Sequence, residues 1–237
     1  LRDAKYCLYE DIPYCPTSGA TGHAGRLWFG YLNDVPVVMM QGRVHFYEDY
    51  TINEVVFLTR LMIFLGAKKI IITHAVGAVT RNLEPTDIVG IRSHIAFNCP
   101  DPTAGPDALE LGSEFTPMGE AYSSSFLALA KMCALECGVS FHYGVSHFKQ
   151  GRTYETPAEV EAMRRSGADV ATMSTIPEVV AAVHMGASVL DLALVTNMGN
   201  GLGSNTPLSH GEVQGVAELM KDKFGGLVSL IVERMSN

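Results

Sequence analysis

The sequence predicts a single α/β domain in which a central mixed β-sheet is flanked by helices. The chain has 237 residues, of which 47% are hydrophobic and 18% charged, which is typical of a compact globular domain. Short apolar runs alternate with segments of helical periodicity, and strands separated by helices require crossover connections. No internal repeat or linker divides the sequence, so we expect one domain over residues 1–237.

Six aliphatic or β-branched runs are the candidate strands. They are Val37 to Met40, Lys69 to Thr73, Ile88 to Ile91, Ser140 to Val145, Asp169 to Met173 and Ser188 to Thr196. Ligands of α/β sheets bind beyond the carboxyl ends of the strands. We therefore expect the functional residues in the loops that follow these strands, at 41–49, 74–80, 150–156, 174–178 and 197–209.

Apolar periodicity and capping patterns predict the helices. Residues 119–137 carry one apolar stripe at helical spacing, and Gly138 ends it. A serine or threonine three residues before a glutamate predicts further helix starts at Thr156, Thr175 and Ser209.

Charge and cysteine content exclude several classes of protein. Asp and Glu outnumber Lys and Arg by 25 to 17, for a net charge of −8, which disfavours nucleic acid as a partner. The five cysteines contain no C-x-x-C pair, so we expect free thiols in a reducing, cytoplasmic location. The sequence shows no apolar run of membrane-spanning length and no secretory signal pattern, so no membrane partner is expected. Residue 1 is leucine, and we expect the natural chain to begin upstream.

Two segments have the chemistry of an anion site. Arg43 and His45 follow the first candidate strand directly, and a guanidinium beside an imidazole can bind an oxyanion. Ser174 precedes a predicted helix, whose N-terminal amide groups favour an anion. A solvated surface turn and ordinary helix capping are the respective alternatives. The small residues that follow His74 allow a ligand to approach the backbone closely, although plain packing explains them equally well.

Two further positions suit a planar heterocycle. Tyr154 and Glu155 place an aromatic ring beside a carboxylate, which can accept N–H groups from a base, and helix-dipole complementation is the alternative role of Glu155. Asn197 ends an apolar strand and offers both a donor and an acceptor, although solvation alone also explains a polar strand end. The glycines of 199–203 lack the spacing of a dinucleotide-binding motif. Metal, glycosidase and serine hydrolase motifs are also missing from the sequence.

Seven ordered blocks of the sequence resemble the trimeric class of purine nucleoside phosphorylases. The blocks are Gly22-His23-Ala24-Gly25-Arg26-Leu27, Gln41-Gly42-Arg43-Val44-His45-Phe46-Tyr47-Glu48, Thr73-His74-Ala75-Val76-Gly77, Tyr154-Glu155-Thr156, Gly167-Ala168-Asp169, Met173-Ser174-Thr175-Ile176-Pro177-Glu178-Val179 and Thr196-Asn197. The resemblance covers essentially the whole chain. It implies an α/β phosphorylase fold, a homotrimer, no metal and no cofactor. The implied reaction is cleavage of a purine nucleoside, such as inosine or guanosine, with inorganic phosphate as co-substrate, in purine salvage.

The resemblance also assigns roles to individual residues. The implied phosphate-binding residues are His23, Arg43, His45, Ala75 and Ser174. The implied purine-binding residues are Ala75, Val76, Gly77, Tyr154, Glu155 and Asn197. The implied ribose-binding residues are Tyr47, Met173, His210 and Phe115, of which Phe115 would cover the ribose of a neighbouring subunit. Asn197, Glu155 and His45 are implied to be catalytic.

The sequence departs from the family pattern at three places. The family's N-terminal strand and Gly-Ser-rich phosphate loop would lie upstream of residue 1. Arg152 stands in the turn before the base site, and His74 stands where an asparagine is usual. Two alternatives therefore stay open. One is a phosphorylase with shifted specificity, for xanthosine or 5′-methylthioadenosine, and the other is a catalytically weak nucleoside-binding protein.

Overall fold

The chain folds into a small antiparallel sheet and a closed mixed barrel surrounded by helices. The computed structural model describes residues 1–19, 22–203 and 209–236. The antiparallel sheet has the order β1 (Arg2–Leu8), β2 (Arg26–Leu32), β3 (Val35–Gln41). Tyr9 and Leu27 pack beneath it against Leu58 and Met62, so this sheet has a core of its own.

Five strands close the barrel. In chain order they are β4 (Lys69–Ala78), β5 (Ile88–Ile95), β6 (Phe141–Phe148), β7 (Val170–Thr172) and β8 (Ser188–Met198). Their order around the barrel is β4-β7-β6-β5-β8. The longest pairing is parallel and joins β4 to β8 along their whole lengths. β8 is buried at nine consecutive positions, as expected of a strand that is covered on both faces.

Helices cover the barrel and connect its strands. The helices are α1 (Ile52–Val55), α2 (Phe57–Phe64), α3 (Ser124–Glu136), α4 (Pro157–Arg165), α5 (Ile176–His184) and α6 (His210–Ser236). α3, α5 and α6 pack on the main apolar core, in which Ala130, Cys133, Leu227 and Ile231 are fully buried. Among the described residues, no helix is both long and apolar enough to cross a membrane.

The structure confirms the predicted α/β fold with a mixed sheet flanked by helices, and all six candidate strands form. The predicted capping box at the start of α4 is also present, since Thr156 Oγ1 accepts from Glu159 N–H at 3.2 Å and Glu159 Oε2 accepts from Thr156 N–H at 2.7 Å. The apolar stripe of 119–137 forms α3, although the helix begins later, at Ser124.

Other local predictions were wrong. β1 was not predicted because its first five residues are exposed and three of them, Arg2, Asp3 and Lys5, are charged. β2 was not predicted because buried and exposed residues alternate along only part of it. His74 was expected in a loop, but β4 continues to Ala78 because β8 pairs with it that far. α5 does begin beside Thr175, yet the side chain of Thr175 makes no capping hydrogen bond. Instead, the carboxylate of Glu178 binds Arg43.

Candidate active site

One cavity brings together nearly all of the predicted site residues. It has a volume of about 1420 Å³ and lies where β3, β4, β7 and β8 end, and it continues along an apolar groove beside α6. The predicted residues that line it are His23, Arg43, His45, Tyr47, Ala75, Val76, Gly77, Tyr154, Glu155, Met173, Ser174, Asn197 and His210. Phe115 does not line this cavity and is 84% exposed.

The loop after β3 presents a fixed guanidinium. Gly42 has a φ of +97°, and a Cβ there would lie 2.6 Å from the Cβ of His23, so the chain turns tightly only because this residue is glycine. The next residue, Arg43, donates from Nη1 to Glu178 Oε2 at 2.7 Å and from Nη2 to the Thr73 carbonyl at 2.6 Å. Both partners hold the guanidinium in one orientation and leave its remaining N–H groups for an anion.

His45 is a buried, neutral imidazole. Its Nδ1 lies 2.8 Å from Glu48 Oε1, which also accepts from the backbone N–H of His45 at 2.9 Å. Burial lowers the pKa of His45 to about 4, assisted by Arg43 and His23, although the hydrogen bond to Glu48 opposes this shift. Because Nδ1 is engaged by the carboxylate, Nε2 is the nitrogen that remains for a ligand.

Aromatic rings and a serine hydroxyl lie beside Arg43 and His45 in the cavity. His45 stacks between His23, at a centroid distance of 5.0 Å, and Tyr47, at 4.5 Å. His23 Nδ1 lies 2.6 Å from the Arg43 carbonyl, which ties the two loops together. Ser174 follows β7, and its backbone N–H donates to Thr172 Oγ1 at 3.3 Å. We call the part formed by His23, Arg43, His45 and Ser174 the phosphate half.

The same cavity also presents an amide and a carboxylate. Asn197 lies near the end of β8 and is only 5% exposed. Its Oδ1 accepts from Thr196 Oγ1 at 3.1 Å, and its Nδ2 donates to the Met198 carbonyl at 3.3 Å. A Cβ on Gly77 would lie 3.0 Å from Asn197 Nδ2, so glycine on β4 leaves room for this amide.

Glu155 is this carboxylate, and it is 6% exposed. Burial raises the pKa of Glu155 above its ordinary value, and its own backbone N–H and Lys149 oppose the shift. Asn200 Nδ2 fixes its main chain by donating to the Glu155 carbonyl at 2.7 Å. Tyr154, 37% exposed, lies beside it. We call the part formed by Glu155, Asn197, Tyr154 and Gly77 the purine half.

Sequence reasoning missed the residues that orient the site. The sequence pattern indicated a helix-capping role for Glu178, and Glu48 ended one of the sequence blocks without an assigned role. Only the fold brings Glu178 to Arg43, 135 positions away in the chain, so no local pattern reveals the pair. His74 was singled out in the sequence, but its partner Asp191 was not, although a charge inside an apolar strand was a visible signal.

The cavity thus combines a cationic and imidazole-rich half with an amide and carboxylate half. Such an arrangement has the chemistry that the sequence predicts for an α/β enzyme binding an inorganic anion and a planar heterocycle in one cavity. Within the described residues, no group of three or more His, Cys, Asp or Glu is arranged to bind a metal ion.

Comparisons with known proteins identify the family. Residues 1–233 match the model of the phosphorylase superfamily. The chain is 41% identical to purine nucleoside phosphorylase 1 of Geobacillus stearothermophilus, over all of this chain and 86% of the relative. A crystal structure of Schistosoma mansoni purine nucleoside phosphorylase in complex with inosine superposes with a TM-score of 0.92 at 35% identity, covering 98% of this chain and 84% of that one. Isoform 2 of the Schistosoma mansoni enzyme, in complex with cytosine and ribose-1-phosphate, gives 0.90 at 33%, covering 98% and 84%.

The chain belongs to the phosphorylase superfamily, and its relatives are purine nucleoside phosphorylases. The predicted family and the prediction that the protein is an enzyme are confirmed. The roles of individual site residues stay predictions.

Proposed function

We propose that the protein cleaves purine nucleosides with inorganic phosphate, releasing the free base and ribose or deoxyribose 1-phosphate. The observation that carries this proposal is the placement of Glu155 and Asn197 in the same cavity as Arg43, His45 and Ser174. An anion site alone would fit many reactions. A base site in the same cavity fits a reaction in which the anion attacks the glycosidic carbon of a nucleoside.

The phosphate half supplies an oriented nucleophile. Arg43, clamped by Glu178, donates to phosphate oxygens together with the Ser174 hydroxyl and the amide groups near Ala75. The neutral ring of His45 accepts a hydrogen bond at Nε2 from the P–O–H group of hydrogen phosphate, which stays a dianion. The phosphate dianion then faces the ribosyl carbon, which gains positive charge as the bond to the base breaks.

The purine half stabilises the leaving group. The departing base gains negative charge at N7 and O6, and Asn197 Nδ2 donates to these atoms. The Glu155 carboxylate accepts from N1–H and from a 2-amino group. One such preorganised hydrogen bond contributes about 3 to 4 kcal/mol to lowering the barrier. Tyr47, Met173 and His210 line the same cavity and contact the ribose in this proposal.

The same two side chains favour 6-oxopurines over 6-aminopurines. A carboxylate facing N1 attracts the N1–H of hypoxanthine and guanine, but repels the lone pair on N1 of adenine. Arg152 and His74 together motivated the alternative of a shifted specificity. In the fold, Arg152 Nε donates to the Tyr47 carbonyl at 3.0 Å and its guanidinium lies over the Tyr47 ring, so these contacts give no separate support to xanthosine.

The substrate test compares initial rates on four nucleosides at saturating phosphate. Inosine and guanosine are expected to exceed xanthosine and 5′-methylthioadenosine by at least about tenfold. A higher rate on xanthosine or methylthioadenosine than on inosine would contradict the proposed substrates and favour the shifted specificity. No phosphorolysis of any of the four nucleosides would favour a nucleoside-binding protein.

The proposed reaction needs no metal and no organic cofactor. The chain's own donors balance the charge of phosphate, and the leaving base is stabilised by hydrogen bonds. Incubation with excess EDTA followed by gel filtration is therefore expected to leave the rate on inosine unchanged. A loss that added Mg²⁺ or Zn²⁺ restores would contradict this part of the proposal.

We also propose a homotrimer in which Phe115 of one subunit covers the ribose site of the next. The support is that Phe115, assigned to the ribose site by family resemblance, is 84% exposed and lies outside its own cavity. Light scattering of the purified protein should give three times the chain mass. Phe115→Ala should raise the KM for inosine while leaving the KM for phosphate unchanged. Free thiols at all five cysteines support a cytoplasmic location, and the products support a role in purine salvage.

A further inference from the structure

A series of buried polar side chains lies beside the phosphate half. It comprises Asp191 on β8, His74 on β4, Thr172 on β7, and Ser174. The side chain of Asp191 is completely buried and that of His74 is 4% exposed, while Thr172 is 3% exposed. Only Ser174 has a part in the reaction proposed above. Polar groups at such depth are retained where they have a defined partner.

The contacts run without interruption from the barrel core to the cavity. His74 Nε2 lies 3.0 Å from Asp191 Oδ1, and His74 Nδ1 lies 3.0 Å from Thr172 Oγ1. Thr172 Oγ1 in turn accepts the backbone N–H of Ser174 and lies 3.3 Å from Ser174 Oγ. Each nitrogen of one imidazole therefore faces a polar group, Nε2 the Asp191 carboxylate and Nδ1 the Thr172 hydroxyl.

Asp191 and His74 lie against each other in the barrel core. Neither carboxylate oxygen of Asp191 accepts an aligned hydrogen bond from the described residues, and a buried carboxylate needs a compensating group. His74 Nε2 is at ion-pair distance from Asp191 Oδ1, although it is not aligned with this oxygen. The imidazole is therefore the compensating group that the described residues offer to this carboxylate.

The Thr172 hydroxyl connects His74 to Ser174. Its Oγ1 lies 3.0 Å from His74 Nδ1 and accepts from the backbone N–H of Ser174 at 3.3 Å. This hydrogen bond fixes the main chain of Ser174 beside the cavity, and the Ser174 hydroxyl can rotate from Thr172 Oγ1 to a phosphate oxygen.

We propose that His74, fixed by Asp191, is a positioning residue for phosphate, acting through Thr172 on the orientation of Ser174. The inference rests on the proposed function, because it assumes that Ser174 binds the phosphate co-substrate. It also gives a physical role to a histidine at a position where the resemblance led us to expect asparagine.

The test measures kcat and separate KM values for phosphate and inosine, together with thermal unfolding. Thr172→Val deletes the hydroxyl at constant shape and is expected to raise the phosphate KM about 3- to 10-fold, the effect of losing one hydrogen bond. The inosine KM and kcat should stay within about twofold of wild type. Thr172→Ser keeps the hydroxyl and should restore the wild-type phosphate KM. Ser146→Ala removes another fully buried hydroxyl of the barrel, and should change none of these values.

Asp191→Asn and His74→Phe extend the test along the series. Each should raise the phosphate KM as Thr172→Val does. Because Asp191 acts through Thr172, the double variant Thr172→Val/Asp191→Asn should be no worse than Thr172→Val alone. If His74→Phe fails to fold, the two Thr172 variants and the double variant still decide whether the inference holds.

Three results would overturn the inference. They are an unchanged phosphate KM in Thr172→Val, an equal rise of both KM values in that variant, and effects that multiply in the double variant. An inactive wild-type protein would refute the proposed function instead, so the two failures are distinguishable.

Discussion

The two halves of the cavity use their hydrogen-bonding groups differently. In the phosphate half, Arg43 is clamped by Glu178 and His45 by Glu48. In the purine half, no side chain of the described residues donates to the Glu155 carboxylate, and Asn197 makes only two contacts, at 3.1 and 3.3 Å. The phosphate half is thus fixed before any ligand arrives, whereas the purine half keeps its hydrogen-bonding capacity for the base.

This difference separates the kinetic constants that each half controls. In the proposed reaction, groups that bind the leaving base act mainly in the transition state, because negative charge appears on the base only as the glycosidic bond breaks. Groups that hold phosphate act already in the ground state. Loss of the donor to the leaving base should therefore lower kcat, and substitutions around the phosphate half should raise the KM for phosphate.

The largest effect is expected for Asn197→Ala. Loss of the donor to the leaving base should lower kcat on inosine about 10²- to 10³-fold, while the phosphate KM stays within about threefold. Asn82→Ala, at an exposed asparagine outside the cavity, is the matched control and should retain wild-type kinetics. Equal losses in kcat and in phosphate affinity would remove the distinction between the halves.

Glu178→Gln should affect the phosphate half and the stability of the fold together. Glu178 is 5% exposed on its side chain and Arg43 18%, and a hydrogen bond between charged groups contributes about 1.5 to 3 kcal/mol. The Tm should fall by about 3 to 10 °C, and the phosphate KM should rise more than the inosine KM. Glu161→Gln, in an exposed ion pair on α4, is the control and should shift the Tm by no more than about 1 °C. A phosphate KM equal to that of wild type would show that Glu178 does not orient the guanidinium.

The pH dependence should report the purine half. Burial raises the pKa of Glu155 above the ordinary 4.5, and only its carboxylate form accepts N1–H. Lowering the pH through this raised pKa therefore protonates Glu155 and should lower kcat/KM for inosine. His45, with a pKa of about 4, stays neutral over the same range. Profiles of kcat/KM for inosine from pH 5 to 8 should show a fall at the acid end in wild type and no such fall in Glu155→Gln. A fall that persists in this variant would belong to another group.

The smallest effect is expected for Gly77→Ala. The added Cβ would lie 3.0 Å from Asn197 Nδ2, so the amide must shift by a few tenths of an ångström. The inosine KM should rise about threefold with an unchanged phosphate KM, a cost below 1 kcal/mol. Gly225→Ala, in α6 where an added Cβ meets nothing within 4 Å, should leave both constants unchanged. An inosine KM unaffected by Gly77→Ala would mean that Asn197 has more room than its contacts indicate.

The sequence predicted the fold class and the cavity-lining residues far better than the contacts that orient them. Local signals were sufficient for Thr156, whose capping box lies within four residues, and for β8, whose apolar run is continuous. Local signals were insufficient to predict the partner of Arg43. That partner, Glu178, is distant in sequence, and its local pattern also predicts helix capping. Local signals failed for β1, since its charged and exposed residues lack the alternation that identifies a strand.

The central claim, that the two halves form one phosphorolytic site, is tested most directly by the products formed from inosine. ³¹P NMR measures the ribose 1-phosphate, and chromatography measures the free base formed in the same reaction. Hypoxanthine and ribose 1-phosphate should appear in equal amounts, and neither should appear without phosphate. Release of hypoxanthine with free ribose, at a rate independent of phosphate, would contradict the account.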